Sequence, residues 1–187
     1  MLCDGDIFLI LDSNILLDIF SINQKENLIS SIKGWMVLLS NKLNCNHDKI
    51  RTIHLILTKD AMKDCRAGRF RRFGTYPGFE IEFNKFLNLT FTEGNIKCRT
   101  KLLKLSDNEC KELKSYLKGT DRHDIWFIKT IWQAIILPES KKFIIACRDR
   151  KTNDGCQKMV TNKYSNRFFF ANSYAELEAL ILNQSSH

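Results

Sequence analysis

A short apolar run that stops at an aspartate constrains this chain more than any other feature. Residues 7–11 read Ile-Phe-Leu-Ile-Leu, and Asp12, Ser13 and Asn14 follow directly. Such a run is typical of a strand that is buried on both faces of a parallel sheet. The carboxyl ends of these strands are where α/β sheets place functional groups, so Asp12 is a candidate site residue. In a simpler alternative, Asp12 or Ser13 only caps the following helix.

Apolar runs and helical spacing alternate along the rest of the chain. Further buried strands are predicted at 50–57, 142–147 and 167–170. Helices are predicted at 13–21, 23–43 (with a break near Gly34), 59–66, 106–117, 120–137 and 173–182. The Thr-Asn-Asp-Gly sequence at 152–155 predicts a turn. This order indicates an α/β fold with a mostly parallel sheet, in a single domain that spans residues 1–187.

The composition favours a polyanionic partner. The chain has 29 basic and 21 acidic residues, a net charge of +8, and nucleic acid is the first candidate for such a surface. No apolar run reaches membrane-spanning length, so we expect no membrane partner. The acidic start lacks the basic region of a signal peptide, and the seven cysteines include no Cys-x-x-Cys pair. We therefore expect a cytoplasmic protein with reduced cysteines.

Residues 66–79 interleave arginines with aromatic rings. The segment reads Arg-Ala-Gly-Arg-Phe-Arg-Arg-Phe-Gly-Thr-Tyr-Pro-Gly-Phe, and its glycines and proline predict a loop. Arginine can bind a phosphate through two parallel hydrogen bonds while an aromatic ring stacks on an unpaired base. Arg69, Arg71 and Arg72 are therefore candidate nucleic-acid contacts. The alternative is a solvated basic loop whose rings fold back onto the core.

Four acidic residues fall at predicted junctions between elements: Asp12, Asp64 (or Asp60), Asp124 and Asp149. If the ends of their elements converge, the carboxylates repel one another unless a cation neutralises them. Oxygen ligands without histidine or cysteine suit Mg²⁺ or Mn²⁺. These ions activate water and stabilise charge that develops on a phosphate. An acidic centre within a basic surface is what phosphodiester hydrolysis requires.

Several stretches resemble the motifs of PIN-domain ribonucleases. Residues 11–17, Leu-Asp-Ser-Asn-Ile-Leu-Leu, are similar to the opening motif, in which a strand ends in Asp followed by a hydroxyl residue. Residues 124–128 with Ala134 resemble the third acidic motif, and residues 146–149 the fourth. The second motif usually has Glu, and here Asp64 is the better match by its offset from the strand. The resemblance spans almost the whole chain.

The resemblance implies a three-layer α/β/α fold and a Mg²⁺- or Mn²⁺-dependent endonuclease that acts on single-stranded RNA. It implies metal-binding catalytic acids at Asp12, Asp64, Asp124 and Asp149. Asn14 would orient Asp12 or a water, Asp121 would add nearby charge, and Asp60 is the substitute for Asp64. His123 is expected to be structural, because a metal centre does not need it as a base.

The resemblance also implies partners. Many members of this family are toxins of toxin–antitoxin systems, so an antitoxin, another protein partner or a homodimer stays open beside single-stranded RNA. Two other functions also stay open from the sequence. One is a PIN-like module that binds nucleic acid or protein without cutting, and the other is a DNA-directed nuclease of related fold.

The arginine-rich segment generates the first prediction. Replacing Arg69, Arg71 and Arg72 together by Ala should weaken nucleic-acid binding and flatten its salt dependence. Each lost contact to a single-strand phosphate lowers the log–log slope by roughly 0.7. Binding titrations of single-stranded RNA across a salt series measure this slope. An unchanged slope would show that the segment is only a solvated basic surface.

Overall fold

The computed structural model describes residues 7–23, 28–44, 53–56, 63–65, 67, 107–116, 125–135, 142–161 and 166–183. Within these ranges the chain forms one parallel sheet with helices on both faces. The predicted α/β class is therefore confirmed. The residues of the arginine-rich segment, Arg69, Arg71 and Arg72, lie outside the described residues.

The sheet has four strands in the order β2-β1-β3-β4, and every neighbouring pair is parallel. The strands are β1 (Ile7–Leu11), β2 (Ile53–Ile56), β3 (Lys142–Ala146) and β4 (Phe168–Ala171). β1 lies between β2 and β3, so Leu9 is in register with Leu55 on one side and with Ile144 on the other. The strand predicted first is thus central, as its continuous apolar sequence requires.

Alternate side chains of β1 contribute to two separate cores. Ile7, Leu9 and Leu11 belong to one core, whereas Phe8 and Ile10 belong to the core on the opposite face. All five side chains are buried. Burying each of these side chains contributes roughly 1.5–3 kcal/mol to stability, so a polar residue at any of these positions would lower the free energy of unfolding.

Six helices have their bounds described. They are α1 (Ser13–Asn23), α2 (Leu28–Asn44), α3 (Asp107–Tyr116), α4 (Ile125–Ile135), α5 (Arg150–Thr161) and α6 (Tyr174–Asn183). The first core takes its helical residues from α1, α2 and α6, and the second takes them from α3, α4 and α5. The described part of the chain therefore has three layers. None of its helices has both the length and the apolar character needed to cross a membrane.

Two local predictions are corrected by the structure. Gly34 does not break α2, because buried Trp35 and Leu39 hold the helix against the first core on the C-terminal side of the glycine. The turn predicted at 152–155 is wrong, because these residues lie inside α5. Its buried positions, Thr152, Asn153, Cys156, Met159 and Val160, recur at helical spacing. That long period overrides the local preference of Asn-Asp-Gly for a turn.

A buried arginine stabilises the amino-terminal edge of the sheet. Ile135 is the last residue of α4, and its carbonyl accepts a hydrogen bond from Arg167 Nη2 at 2.5 Å. The Arg167 guanidinium also lies 5.8 Å from the ring centroid of Phe143 and 5.0 Å from that of Phe168. The carbonyls at a helix end lack partners within the helix, so Arg167 has a structural role here.

The described cysteines behave as the sequence predicts. Cys65, Cys147 and Cys156 are buried and carry free thiols. They fill space in the two cores as small apolar side chains, with Cys65 in the first core and the other two in the second.

Gly155 offers a test of the packing between α5 and α3. Among the described residues, a methyl group at this position would meet the carbonyl oxygen of Tyr116, at 3.5 Å, which is an ordinary contact. Since Ala is the better helix former, Gly155→Ala should raise the free energy of unfolding by about 1 kcal/mol. Urea denaturation measures this change.

Gln157→Ala is the matched control for this prediction, because Gln157 is exposed on the same helix. Its effect should stay within a few tenths of a kcal/mol, given the similar helix propensities of Gln and Ala. A destabilised Gly155→Ala variant would mean that α3 and α5 approach more closely than the structure shows.

Candidate functional site at the carboxyl ends of β1 and β3

The sheet has a topological switch point between β1 and β3. Along the sheet, β2 is the neighbour of β1 on one side, and β3 followed by β4 are its neighbours on the other side. Ligands of open α/β sheets bind in the crevice outside the carboxyl ends of the strands at such a point. Asp12 lies at this point, and its backbone N–H donates to the carbonyl of Ala146 at 2.9 Å.

Asp12 caps α1 and is also buried. Its carbonyl accepts the N–H of Leu16 at 3.1 Å, and its side chain accepts Ser13 Oγ at 3.3 Å and Asn14 Nδ2 at 3.2 Å. The contact with Asn14 is the one that the sequence predicts. The Asp12 residue is only 3% exposed. Burial raises the pKa of its carboxyl above the ordinary value of 3.8, although the hydrogen bonds from Asn14 and Ser13 lower it.

Asp149 occupies the equivalent junction after β3 and also caps a helix. Its Oδ1 accepts the N–H of Lys151 at 3.0 Å, and its Oδ2 accepts the hydroxyl of Thr152 at 2.9 Å. Its carbonyl accepts the N–H of Asn153 at 2.9 Å. Unlike Asp12, Asp149 is exposed. Its contacts therefore describe an ordinary solvated N-cap of α5.

The comparison of these two caps separates the alternatives that the sequence left open. Both aspartates serve as N-caps, so the prediction that Asp12 caps the following helix is correct. A cap does not require burial, however, as the exposed side chain of Asp149 shows. Burying a carboxylate costs free energy unless the charge is compensated. The burial of Asp12 is therefore the feature that capping alone does not explain.

Asp64 faces the same region from a different part of the chain. It lies in the helical residues 63–65, which follow β2, and its Oδ2 accepts a hydrogen bond from the indole Nε1 of Trp126. Trp126 is in the first turn of α4. The structure thus joins the acid after β2 to the start of the helix that follows Asp124 in the sequence.

Cys65 connects the segment that carries Asp64 to the segment that carries Asp12. Its thiol is fully buried, and Sγ lies 3.9 Å from the carbonyl oxygen of Ser13. Burial, followed by the charges of Asp12 and Asp64, raises the pKa of the Cys65 thiol well above its ordinary value of 9.0. Cys65 directly follows Asp64, and Ser13 directly follows Asp12, so this contact brings the two acid-bearing segments together. The thiol stays protonated and unreactive in this position.

An ion pair connects α1 to the junction after β3. Arg148 Nε lies 2.9 Å from Asp18 Oδ2, and the Arg148 side chain remains 51% exposed. This pair holds α1 against the segment that carries Asp149. The sequence analysis overlooked Asp18, although an acid within the apolar run of α1 is a visible signal. Trp126 and Cys65 were also overlooked as site residues, and no local pattern marks either of them.

The remaining predicted site residues lie outside the described residues: Asp60, Asp121, Asp124, Arg69, Arg71 and Arg72. His123, which is expected to be structural, also lies outside them. Within the described part of the chain, no group of three or more His, Cys, Asp or Glu side chains is arranged to hold a metal ion. Asp149 therefore does not complete a group of three with Asp12 and Asp64. The roles of Asp124 and Asp121 stay predictions.

A pair of carboxylates is still sufficient for one class of metal site. Mg²⁺ is usually held by one or two carboxylates, with water and substrate phosphates as its other ligands. Among the described residues, the groups that lower the pKa of Asp12 are hydrogen-bond donors of Ser13 and Asn14 and not a cationic side chain. Asp12 and Asp64 thus fit a hard divalent cation by charge and by donor atoms.

Comparison with protein-family models, curated proteins and solved structures gives no match to this chain.

The burial of Asp12 predicts a pH-dependent penalty on stability. Because its pKa is raised in the folded state, the native protein resists losing this proton. The penalty is absent well below pH 3.8, grows as pH rises toward the raised pKa, and is complete above that pKa. Asp12→Asn should therefore raise the metal-free Tm at pH 7, and the gain should shrink as pH falls.

Thermal melts in chelator, from pH 4 to pH 8, measure this difference. Asp149→Asn is the matched control, because it changes the same kind of helix cap at an exposed position and asparagine is also a good cap. It should give no comparable gain. If Asp12→Asn lowers the Tm at pH 7, the Asp12 carboxylate is stabilised by a partner other than Ser13 and Asn14.

Proposed function

We propose that this protein is a metal-dependent endonuclease that hydrolyses phosphodiester bonds of single-stranded RNA. One observation carries the proposal: Asp12 is buried at the switch point of a parallel sheet, and the residue after it contacts Cys65, which directly follows a second acid, Asp64. Capping a helix does not require a buried side chain, because the exposed Asp149 makes the same kind of capping contacts. A buried acid at a ligand-binding edge, with a half-buried acid on a contacting segment, is instead suited to a divalent cation.

The electrostatics of the pair support Mg²⁺ or Mn²⁺. Burial disfavours the ionised form of the Asp12 carboxyl group. A bound cation reverses this effect, because it interacts favourably with the ionised oxygens. Asp12 and Asp64 would hold the cation, together with Asp124 if the family resemblance extends to that residue. Hard oxygen donors of this kind select Mg²⁺ or Mn²⁺ over softer metals.

The surrounding residues hold the two acids in place. Ser13 and Asn14 each donate to a different oxygen of Asp12, which fixes the plane of the carboxylate. Trp126 donates to one oxygen of Asp64. When bound, a divalent cation would supply water activation and would stabilise charge that develops on the phosphate. Asp149 would contribute indirectly, because its cap fixes the start of α5 beside the site.

Basic residues at the same edge of the sheet support a nucleic-acid substrate. Arg150 and Lys151 are exposed at the start of α5, directly after the carboxyl end of β3. Cations in this position can hold the phosphate backbone near Asp12. The predicted contacts Arg69, Arg71 and Arg72 would extend this surface, in keeping with the net charge of +8.

Cleavage assays test the proposal. Asp12→Asn and Asp64→Asn should each reduce Mn²⁺-dependent cleavage of a labelled single-stranded RNA by on the order of 100-fold or more. Even changes to residues that only support a metal ligand cost 10–100-fold. Circular dichroism and thermal melts should show that both variants are folded. Asp154→Asn, an exposed acid on α5, is the matched control and should cleave at the parental rate.

Two outcomes would overturn the assignment. If Asp12→Asn retains the parental Mn²⁺-dependent rate, Asp12 does not hold the metal and the proposed centre is wrong. If the unmutated protein binds RNA but does not cut it in Mg²⁺ or Mn²⁺, the chain is a binding module. A single-stranded DNA of the same sequence should be included, since faster cleavage of the DNA would make the protein a DNA-directed nuclease.

A further inference from the structure

We propose that Trp126 is a positioning residue for the proposed metal centre, which acts by holding the Asp64 carboxylate through its indole N–H. The inference rests on the proposed function, because it assigns Asp64 a metal to bind. It goes beyond that function by giving a role to Trp126, to which the family resemblance assigns none. The indole Nε1 of Trp126 performs this role, and the rest of the side chain packs in the second core.

The contact joins two distant parts of the chain. Trp126 Nε1 donates to Asp64 Oδ2, and the two residues are 62 positions apart. Trp126 is 8% exposed, and its ring packs edge-on against Phe127 with the centroids 5.6 Å apart. The indole is therefore fixed by packing before it donates to the acid. A donor that is held in this way can restrict the orientation of its partner.

The chemistry of the indole suits this task. Its N–H can only donate, so the hydrogen bond favours the ionised carboxylate, which can only accept. One oxygen of Asp64 then faces the indole, and the plane of the carboxylate is limited by that bond. Groups that hold a metal-binding carboxylate in this way typically affect metal affinity by 10–100-fold.

The contact also ties Asp64 to the helix that begins beside Asp124. Asp124 directly precedes Ile125, the first residue of α4, and Trp126 is the second residue of that helix. A movement of α4 would therefore move the donor that holds Asp64. Trp126 thus couples the position of the second acid to the element that carries the predicted third acid.

Trp132 on the same helix provides the comparison that separates positioning from packing. It is buried six residues further along α4, and its ring lies 6.5 Å from that of Tyr116. Phenylalanine at either position keeps an aromatic ring and removes the indole N–H. A purely structural role predicts similar consequences for Trp126→Phe and Trp132→Phe. A positioning role predicts a metal-dependent defect only in Trp126→Phe.

The contact itself is tested without metal by NMR of the indole N–H groups. Trp126→Phe identifies the Trp126 resonance by removing it from the spectrum. In the otherwise unmutated protein, Asp64→Ala should shift this resonance strongly and leave that of Trp132 nearly in place. If Asp64→Ala leaves the Trp126 resonance unchanged, the hydrogen bond is absent and the inference fails, whatever the activity of the protein.

The functional consequence is tested by Mn²⁺ titration. Trp126→Phe should raise the Mn²⁺ concentration that gives half of the maximal Tm increase by about 10-fold or more, whereas Trp132→Phe should not. The half-activating Mn²⁺ concentration for RNA cleavage should move in parallel. Adding Trp126→Phe to Asp64→Ala should produce no further loss of Mn²⁺ stabilisation, because Trp126 acts through Asp64.

The outcomes distinguish this inference from the proposed function. If Asp12→Asn removes the Mn²⁺ response but Trp126→Phe titrates like Trp132→Phe, the metal centre stands and the positioning role of Trp126 is wrong. If the unmutated protein shows neither Mn²⁺ stabilisation nor cleavage, the proposed function is wrong and the positioning role falls with it. In that case the NMR experiment still decides whether the indole contact is present.

Discussion

The pairing of β1 with strands on both sides is the constraint on which the rest of the structure depends. Because β1 is central and parallel to β2 and β3, its five side chains must all be apolar, and its carboxyl end must open at the switch point. This single placement brings Asp12 beside the junction after β3. It also directs the segment after β2, which carries Asp64, toward the same edge. The candidate site is thus a geometric result of strand order.

The two helix caps show how one local motif can carry different energetic consequences. Asp12 and Asp149 both follow a buried strand and both cap the next helix. Only Asp12 is withdrawn from solvent, which raises its pKa and costs stability when the group is ionised. Proteins tolerate such a cost mainly where a bound ligand offsets it or where function requires it. The two residues therefore share a sequence pattern and differ in their exposure to solvent.

Much of the fold was accessible from the sequence, because periodicity is a local property. The run at 7–11 and the contact between Asn14 and Asp12 were both predicted correctly. Helix α5 was missed, since the letters Asn-Asp-Gly were given more weight than the spacing of its buried residues. The roles of Cys65 and Trp126 were not accessible at all. Both depend on contacts between residues more than fifty positions apart, which no local pattern encodes.

The strand order also determines when the site can come into existence. β1 and its neighbour β3 are separated in the sequence by β2 and four of the described helices. Pairing between strands so far apart in sequence is slow, because the intervening chain must first be closed into a loop. A nascent chain can hold Asp12 and helix α1 without having the crevice at the end of β3. The crevice between β1 and β3 therefore closes late in folding, when two strands far apart in the sequence have met.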